Sequence, residues 1–421
     1  MQRPSVWIAA ISFGAIGVST HWSAPPQVTS EVPKRVIAPP GPKPVGPYSP
    51  GIMVGDFLYV SGQGARDRDG RLPDTVDAQV RQTLENVKTI VEAAGLTLDH
   101  VVYSQVYLAS MSSQGNATMD RVWREYFPKQ PPARAVLGVH RMPTDTPVEI
   151  NAVAFRDLSR RKSIVPAGYP PNAPATPGVL AGDRLYLSGS FGADIASGSV
   201  PADPAAQVQL ALDNMKQILM TAGMDFRHVV FVNPYLTDQA SGQMNAIYAK
   251  QFEFGNTPAR ATIRVASLPG GNTIEFTGVA VADLSKRLAV RPKNMRPSAT
   301  ASPCVFAGDT YFCSAKGPFT PGPDKVQGIY AATVEAQVRQ TMRNLLDGLE
   351  EAGLTFANVV ATNVYLDDID EFPKMNRVYA QYFPEIFPTR TTIATLPPID
   401  RKPVNEDVYP GLEQISLVAV K

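Results

Sequence analysis

Three arginines of this 421-residue chain each close a Pro-x-Arg triplet, at Arg134, Arg260 and Arg390. A guanidinium offers two parallel donors to a carboxylate, and so it orients the carboxylate as well as binding it. Glu149 and Glu275 each lie 15 residues beyond one of these arginines, and a carboxylate in a cleft can take a proton from an attacking water. Residues of these two types can bind a carboxylate and activate a water. The alternatives are structural ion pairs at strand starts and solvent-facing glutamates on alternating strands.

These residues belong to an internal repeat. Gly-Asp pairs begin at Gly55, Gly182 and Gly308, which are 127 and 126 residues apart. Other residues recur in the same order in all three copies, namely Ser61, Ser188 and Ser314; Gln79, Gln207 and Gln337; Asn86, Asn214 and Asn344; and Tyr107, Tyr235 and Tyr365. Because self-similarity at a fixed period indicates a copied structural unit, we expect three domains of one type, at 36–158, 165–285 and 292–421.

Each copy shows the same local patterns. Apolar residues at helical spacing, as between Val80 and Val91, predict an amphipathic helix that ends near Gly95. The β-rich runs on both sides of each Gly-Asp pair predict a hairpin with a two-residue turn. A strand at 101–108, a second helix at about 119–126 and two further strands complete the unit. We therefore predict an α+β unit of ββαββ type, with both helices on one face of the sheet.

Composition disfavours nucleic acid as a partner. The chain has 39 basic and 38 acidic side chains, and no run of Lys and Arg could follow a phosphate backbone. Its four histidines lack ligand spacing and no nucleophile motif is present, so neither a metal nor a cofactor is expected. Cys304 and Cys313 fall opposite each other in a predicted hairpin, where either a disulfide or two buried thiols would fit.

The N-terminus has the pattern of a signal peptide. Arg3 precedes an apolar stretch from Val6 to Val18, which is too short to span a membrane comfortably. We expect residues 1–28 to be a signal peptide or an N-terminal anchor, and the protein to be periplasmic or secreted. No clean cleavage pattern follows, so an uncleaved membrane anchor stays open, and the protein would be cytoplasmic if this segment is not a signal.

The first repeat contains four short motifs in a fixed order. They are Gly46-Pro47-Tyr48-Ser49, Tyr59-Val60-Ser61-Gly62-Gln63, Pro132-Ala133-Arg134-Ala135 and Val148-Glu149-Ile150. From about Pro40 onwards the chain resembles the Rid (reactive intermediate deaminase, YjgF-type) family, and the other two repeats match it more loosely. The resemblance implies chorismate-mutase-like domains. Together with the repeat number, it implies a monomeric, single-chain pseudo-trimer around a barrel-like sheet core, with ligand clefts between repeats.

The resemblance also implies a reaction, the hydrolysis of small 2-imino or enamine acids to 2-keto acids and ammonia without a cofactor. In the family, the Pro-x-Arg arginine binds the substrate carboxylate and a glutamate on the last strand handles the water. The catalytic residues carried over in this way are Arg134, Glu149, Arg260 and Glu275. The residues carried over for binding the 2-imino or 2-keto carboxylate are Tyr48, Ser61, Gly62, Ser188, Gly189, Asn245, Ser314, Asn376 and Arg390.

Departures from the family pattern predict unequal clefts. Counting back from the serines places Ala175 and Ala301 where the first repeat has Tyr48. In the third repeat Gln414 takes the place of the glutamate, and an amide cannot act as a base. Glu413 is one residue away and therefore falls on the opposite face of the strand.

Asp120 is a further departure, because the other repeats carry Asn245 and Asn376 at this place. Its negative charge opposes an anionic substrate. We expect the clefts that contain a glutamate to be competent, and the cleft with Gln414 to be weak or purely binding.

Two other functions stay open. The first is a small-carboxylate binding protein without turnover, which Ala175, Ala301 and Gln414 favour. The second is the endoribonuclease activity attached to part of the family. The absence of a basic run and of a histidine acid/base pair in the sequence counts against it.

Overall fold

The described part of this computed structural model covers residues 33–421 with short gaps. The residues left out inside that range are 42, 238–240, 294, 321–327 and 406. The expected signal peptide at 1–28 lies outside the described residues. Within the described ranges, no helix combines the length and the apolar character that a membrane crossing requires.

The first repeat forms one mixed sheet with helices packed on it. Its elements are β1 (Arg35–Ile37), β2 (Gly51–Val54), β3 (Phe57–Gly64), α1 (Val76–Ala93), β4 (Val101–Leu108), α2 (Ser113–Tyr126), β5 (Ala133–Gly138) and β6 (Val148–Phe155). The strand order in the sheet is β1-β2-β3-β6-β4-β5, in which β4 and β5 run parallel and the other neighbours antiparallel.

The second and third repeats follow the same plan. The second consists of β7 (Arg161–Ile164), β8 (Gly178–Ala181), β9 (Arg184–Phe191), α3 (Pro204–Thr221), β10 (Val229–Leu236), α4 (Ser241–Tyr248), β11 (Ala259–Arg260), β12 (Ile263–Arg264) and β13 (Ile274–Val281). The third consists of β14 (Arg287–Val290), β15 (Cys304–Ala307), β16 (Thr310–Lys316), α5 (Val334–Glu351), β17 (Val359–Leu366), α6 (Phe372–Tyr379), β18 (Thr389–Ala394) and β19 (Glu413–Val420). The predicted α+β class is confirmed three times over.

Two details of the unit differ from the sequence prediction. A short strand (β1, β7 or β14) opens each repeat and pairs with the first hairpin strand. It is too short to show a period. The second helix of the first repeat begins at Ser113 rather than near Met119, because Ser112 accepts a hydrogen bond from the main-chain N–H of Gly115 and so caps an earlier start.

Both helices of the first repeat pack on one face of the sheet, as predicted. Helix α1 begins after Thr75, whose side chain accepts a hydrogen bond from the Ala78 N–H, and it ends before Gly95, which has φ +79°. Its apolar stripe joins Trp123 of α2 and Leu58 of the sheet in one core. The helices therefore cover one face and leave the other free for contacts between repeats.

The asparagine of each long helix holds the chain that follows β3, β9 or β16. Asn86 Nδ2 donates to the carbonyl oxygens of Gly64 and Arg66, both at 2.9 Å. Asn214 and Asn344 bond the corresponding carbonyls of their own repeats at 2.8 and 2.9 Å. These residues are structural.

The predicted barrel-like core is wrong. Among the described residues each repeat keeps an open sheet of its own, and the strand ladder does not continue from one repeat to the next. Instead, the uncovered sheet faces meet through apolar side chains of all three repeats, which include Tyr59, Tyr186 and Phe312. Because this packing removes the apolar faces from water, the sheets do not need to close into a barrel.

Cys304 and Cys313 form a disulfide across the β15–β16 hairpin. The two residues are register partners, their Cα atoms are 4.0 Å apart, and both are buried. Of the two alternatives that the sequence left open, the structure contains the bonded pair.

Glu413 lies on the helix-covered face of β19, as its position in the sequence predicted. It pairs with Leu366 across the strands, just as Val148 pairs with Leu108 and Ile274 pairs with Leu236 in the other two repeats. The hydroxyl of Thr341 donates to its Oε1, whereas Oε2 has no partner within the described chain. Burial raises the pKa of Glu413 to about 8, although the Thr341 hydrogen bond acts in the opposite direction. The third core therefore contains an acid where the other two contain an aliphatic residue.

Replacing Glu413 with isoleucine, the residue of the second repeat, is expected to stabilise the protein by about 1 to 3 kcal/mol, because a buried polar group loses its desolvation penalty. A carboxyl whose pKa is raised on folding contributes stability that is lost as the pH rises towards the folded pKa. The increase in the free energy of unfolding on replacement should therefore be smallest in acid, grow towards pH 8 and level off above pH 8. Urea unfolding at a series of pH values measures this. A loss of stability at every pH would contradict the prediction.

Candidate active site

The same hydrogen bond links each repeat to the next, from the main-chain N–H of a Pro-x-Arg arginine to a serine Oγ. The pairs are Arg390 to Ser61 at 2.9 Å, Arg134 to Ser188 at 2.8 Å and Arg260 to Ser314 at 2.8 Å. Each hydroxyl also donates to a carbonyl of its own repeat. The serine hydroxyls are thus occupied within the protein. Only the main-chain groups beside the serines are left to bind a ligand.

These bonds define three junctions between repeats. The first junction contains Arg390, Ser61 and Glu149; the second contains Arg134, Ser188 and Glu275; the third contains Arg260, Ser314 and the position of Gln414. Arg390 and Glu149 influence each other's pKa, as do Arg134 and Glu275. Each glutamate therefore meets the arginine of a different repeat, which is a pairing that the sequence left open.

At the first junction, Arg390 is a buried cation among aromatic rings. Its guanidinium carbon lies 5.4 Å from the ring centre of Tyr48, 5.1 Å from that of Phe372 and 4.9 Å from that of Tyr379. Its side chain forms no ion pair with the described carboxylates, and Nη2 has no hydrogen-bond partner among the described residues. Burial lowers the pKa of Arg390, while nearby tyrosines and Glu149 oppose this shift. A buried guanidinium of this kind is ready to receive an anion.

Glu149 lies on β6 across the same junction. Burial raises its pKa to about 8, and this shift is partly opposed by Arg390 and by the backbone amide of Thr392. The carboxyl sits over Gly62, where any Cβ would collide with Oε1. Glycine is therefore required at this position for steric reasons. Glu149, Gly62, Tyr48 and Arg390 all line one cavity of about 300 Å³.

Asn376 lies beside Arg390 on α6. A Cβ placed on Gly46 would stand 2.6 Å from Arg390 Nη2 and 3.0 Å from Asn376 Nδ2, so the segment before Tyr48 covers both side chains closely. The Oδ1 of Asn376 is buried without a hydrogen bond to any described residue. The first junction thus brings together six of the predicted site residues, namely Tyr48, Ser61, Gly62, Glu149, Asn376 and Arg390.

The second junction has a different charge pattern. Arg134 stacks on Trp123 at 4.9 Å, and its Nη2 forms an ion pair with Asp120 Oδ1 at 2.5 Å. Glu275 is fully buried and lies over Gly189, as Glu149 lies over Gly62. Burial raises the pKa of Glu275 well above its ordinary value, against the influence of Arg134.

The third junction contains no glutamate at the corresponding strand position within the described chain. Gln414 pairs with Tyr365, as Glu149 pairs with Tyr107 and Glu275 with Tyr235, and its side chain is exposed. Ala315 replaces the glycine that follows the serine in the other repeats. Arg260 Nη1 donates to Asn245 Oδ1 at 2.8 Å. Arg260, predicted to be catalytic, is therefore not brought together with a carboxylate of this kind.

Sequence reasoning missed two groups of side chains. The first is the aromatic residue three positions after each Asp120-type residue, Trp123, Tyr248 or Tyr379, on which the arginine of the same repeat stacks. Its recurrence at fixed spacing was a usable signal. The second is Tyr169. Burial raises its pKa above the ordinary value, and the nearby charge of Arg134 opposes this shift only in part. It stands six residues before Ala175, so counting back from the serine could not find it.

The described residues contain no cluster of three or more His, Cys, Asp or Glu side chains that could hold a metal ion.

Comparison with known proteins finds one family model that matches all three repeats and relatives that each match less than a third of this chain. The family model described as endoribonuclease L-PSP matches residues 39–156, 169–282 and 292–398. A RutC family protein of Pyrococcus horikoshii is 42% identical over 118 residues, which are 28% of this chain and 92% of the relative. The 2-iminobutanoate/2-iminopropanoate deaminase of Escherichia coli is 35% identical over 127 residues, 29% of this chain and 98% of the relative. The crystal structure of the Escherichia coli YjgF gene product is 36% identical in sequence. The match includes 29% of this chain and 99% of the YjgF chain, with a TM-score of 0.28.

Proposed function

The chain belongs to the Rid family as three joined copies of its domain, and from this premise we propose that it hydrolyses small 2-imino acids to 2-keto acids and ammonia at the first junction. The observation that carries the proposal is the meeting of Arg390 and Glu149 at one cavity of about 300 Å³. A relative named for this reaction matches one repeat along 98% of its own length.

The residues of the first junction suit the steps of this reaction. Arg390 offers its free Nη2 and the neighbouring Nη1 to the substrate carboxylate, and the aromatic rings exclude water around that pair. Glu149, as the carboxylate, takes a proton from a water that attacks the imine carbon. The acid so formed gives this proton to the imine nitrogen, which yields a carbinolamine. Glu149 then moves the proton of the new hydroxyl group to the nitrogen, the carbon–nitrogen bond breaks as the keto carbonyl forms, and ammonia leaves. A pKa of about 8 suits a group that both takes and gives a proton near neutral pH.

We also propose that the three repeats form a monomeric pseudo-trimer. The cyclic set of arginine–serine bonds and the apolar cluster shared by the three sheets support this arrangement, because each repeat already has two partners within the chain. Light scattering on the purified protein is expected to give the mass of one chain. A mass of three chains would require a different arrangement.

The alternative of a carboxylate-binding protein without turnover is favoured by the third junction, where Arg260 is held by Asn245 and Gln414 replaces the glutamate. The two functions separate in one assay. Ammonia release from freshly generated 2-iminobutanoate is followed with and without the protein, at concentrations at which the wild type and a Glu149→Gln/Glu275→Gln double variant are both folded. Acceleration by the wild type alone supports the deaminase. No acceleration, with 2-ketobutanoate still bound, would replace it by the binding protein.

A further inference from the structure

One position of the second helix differs in charge among the three repeats. Asn245 accepts a hydrogen bond from Arg260, and Asn376 lies beside Arg390 without a hydrogen bond to it. In the first repeat this position is Asp120, whose carboxylate binds Arg134 Nη2 at 2.5 Å. The two side chains are 5% and 23% exposed, so water screens this pair only in part.

Asp120 thus stands where a substrate carboxylate would bind. At the first junction the guanidinium of Arg390 is available to bind an anion. At the second junction the guanidinium of Arg134 already binds the carboxylate of Asp120. A ligand carboxylate placed there would have to displace Asp120 or share the arginine with it, and like charges a few ångströms apart in a poorly screened site repel strongly.

Other charged groups around Arg134 do not reverse this conclusion. Glu275 adds a further acid within electrostatic reach of Arg134. Arg124 is a second cation within electrostatic reach, but it is exposed and its guanidinium donates to main-chain carbonyls, including that of Asn172 at 3.2 Å. An exposed cation is largely screened by solvent, so Asp120 dominates for a ligand that contacts Arg134.

The second junction still offers polar groups to a ligand. Arg134 Nη1 and both oxygens of Glu275 are buried without a partner in the described part of the chain, and buried polar atoms in this state indicate a place for water or a polar ligand. Arg134 Nη1 can donate to a carbonyl oxygen, and Glu275 can bond an imine or amide N–H. An uncharged amide supplies both groups, and an uncharged imine or ketone supplies one of them, without adding an anion.

We propose that Asp120 fills the carboxylate position of the second junction, so that this junction takes small uncharged imines or carbonyl compounds and rejects the 2-imino acids that the first junction takes. The inference rests on the proposed function only for the role of the first junction. Asp120 is then a specificity-determining residue, and a single chain presents two substrate preferences.

The test uses the full chain with Arg260→Ala and Arg390→Ala, in which Arg134 is the remaining Pro-x-Arg arginine. Calorimetry compares 2-oxobutanamide with 2-oxobutanoate, an uncharged and an anionic ligand of nearly the same shape. We expect the amide to bind about tenfold more tightly, and addition of Asp120→Asn to shift the preference by at least about 100-fold towards the carboxylate. The proposal would be overturned if Asp120→Asn left the preference unchanged, if the chain already preferred the carboxylate without Asp120→Asn, or if neither ligand bound.

A reciprocal variant covers the case in which the arginine variants do not fold. Asn376→Asp in the otherwise natural chain places the same carboxylate beside Arg390, and it should weaken 2-oxobutanoate binding at the first junction by about 100-fold. Asn376→Gln is the matched uncharged control and should bind more tightly than Asn376→Asp. Equal affinities of the two variants would overturn the proposal. Hydrolysis by an Arg134→Ala/Arg260→Ala chain tests the proposed function by itself, since there the first junction acts alone.

Discussion

Glu149→Gln is expected to lower kcat/KM for a 2-imino acid by about 100- to 10,000-fold, which is the range for loss of a general base. The amide fills the same space over Gly62 but cannot take a proton from water. The loss should fall mainly on kcat, because Arg390 still binds the substrate carboxylate. Glu413→Gln is the matched control, since it makes the same change at a buried acid on the other face of the third sheet and should leave the rate unchanged.

The pH dependence gives a second readout of the same residue. Burial raises the pKa of Glu149 to about 8, so the reactive carboxylate is the minor form below that pH and the major form above it. The ratio of catalysed to uncatalysed hydrolysis should therefore rise with pH, level off above 8, and lose this rise in Glu149→Gln. A wild-type profile that falls through this range would show that the protonated form of Glu149 is the active one.

Arg390→Ala is expected to reduce kcat/KM by roughly 100-fold, because hydrogen bonds to a charged group are worth up to about 3 kcal/mol. The main-chain bond from residue 390 to Ser61 survives the change, so the junction should keep its form. The effect should appear mainly in KM, and it should shrink for an imine whose carboxylate is replaced by an amide. Steady-state kinetics with both substrates measures these values.

Arg260→Ala is the matched control for Arg390→Ala. Arg260 closes the same triplet in another repeat, yet its junction has Gln414 in place of the glutamate. Its loss should leave hydrolysis close to the wild-type rate. Equal damage from the two alanine substitutions would mean that the arginines hold the repeats together rather than bind substrate.

Local patterns in the sequence were sufficient to predict the elements of each repeat, apart from the short opening strand and the start of the second helix. The apolar stripe of α1, the glycine after it and the Gly-Asp turns act over a few residues, and the structure confirms each of them. The same hairpin geometry placed Cys304 opposite Cys313, and the last-strand alignment placed Gln414 at the position of the glutamate, which the strand register confirms. Register follows from such patterns because a strand has a fixed period of two residues.

The arrangement of the repeats was beyond the reach of such patterns. Pairing Arg390 with Glu149 depends on which sheet faces meet, and those faces are built from residues that lie far apart in the chain. Open sheets rather than a barrel follow from the same packing. Asp120 was visible as a charge, but its ion pair with Arg134 depends on the direction in which one helix presents it. Tyr169 comes within electrostatic reach of Arg134 from a connecting segment that has no periodic pattern.

The junctions have a consequence for the way in which this chain can change during evolution. Each repeat supplies its arginine to one junction and its last-strand residue to another. If three identical chains built the same assembly, every substitution would appear at all three sites at once. In the fused chain, Gln414 or Asp120 alters one site and leaves the other two as they were. The repeats also depend on one another. Deletion of any single repeat would remove half of the residues of two junctions and leave only the third junction complete.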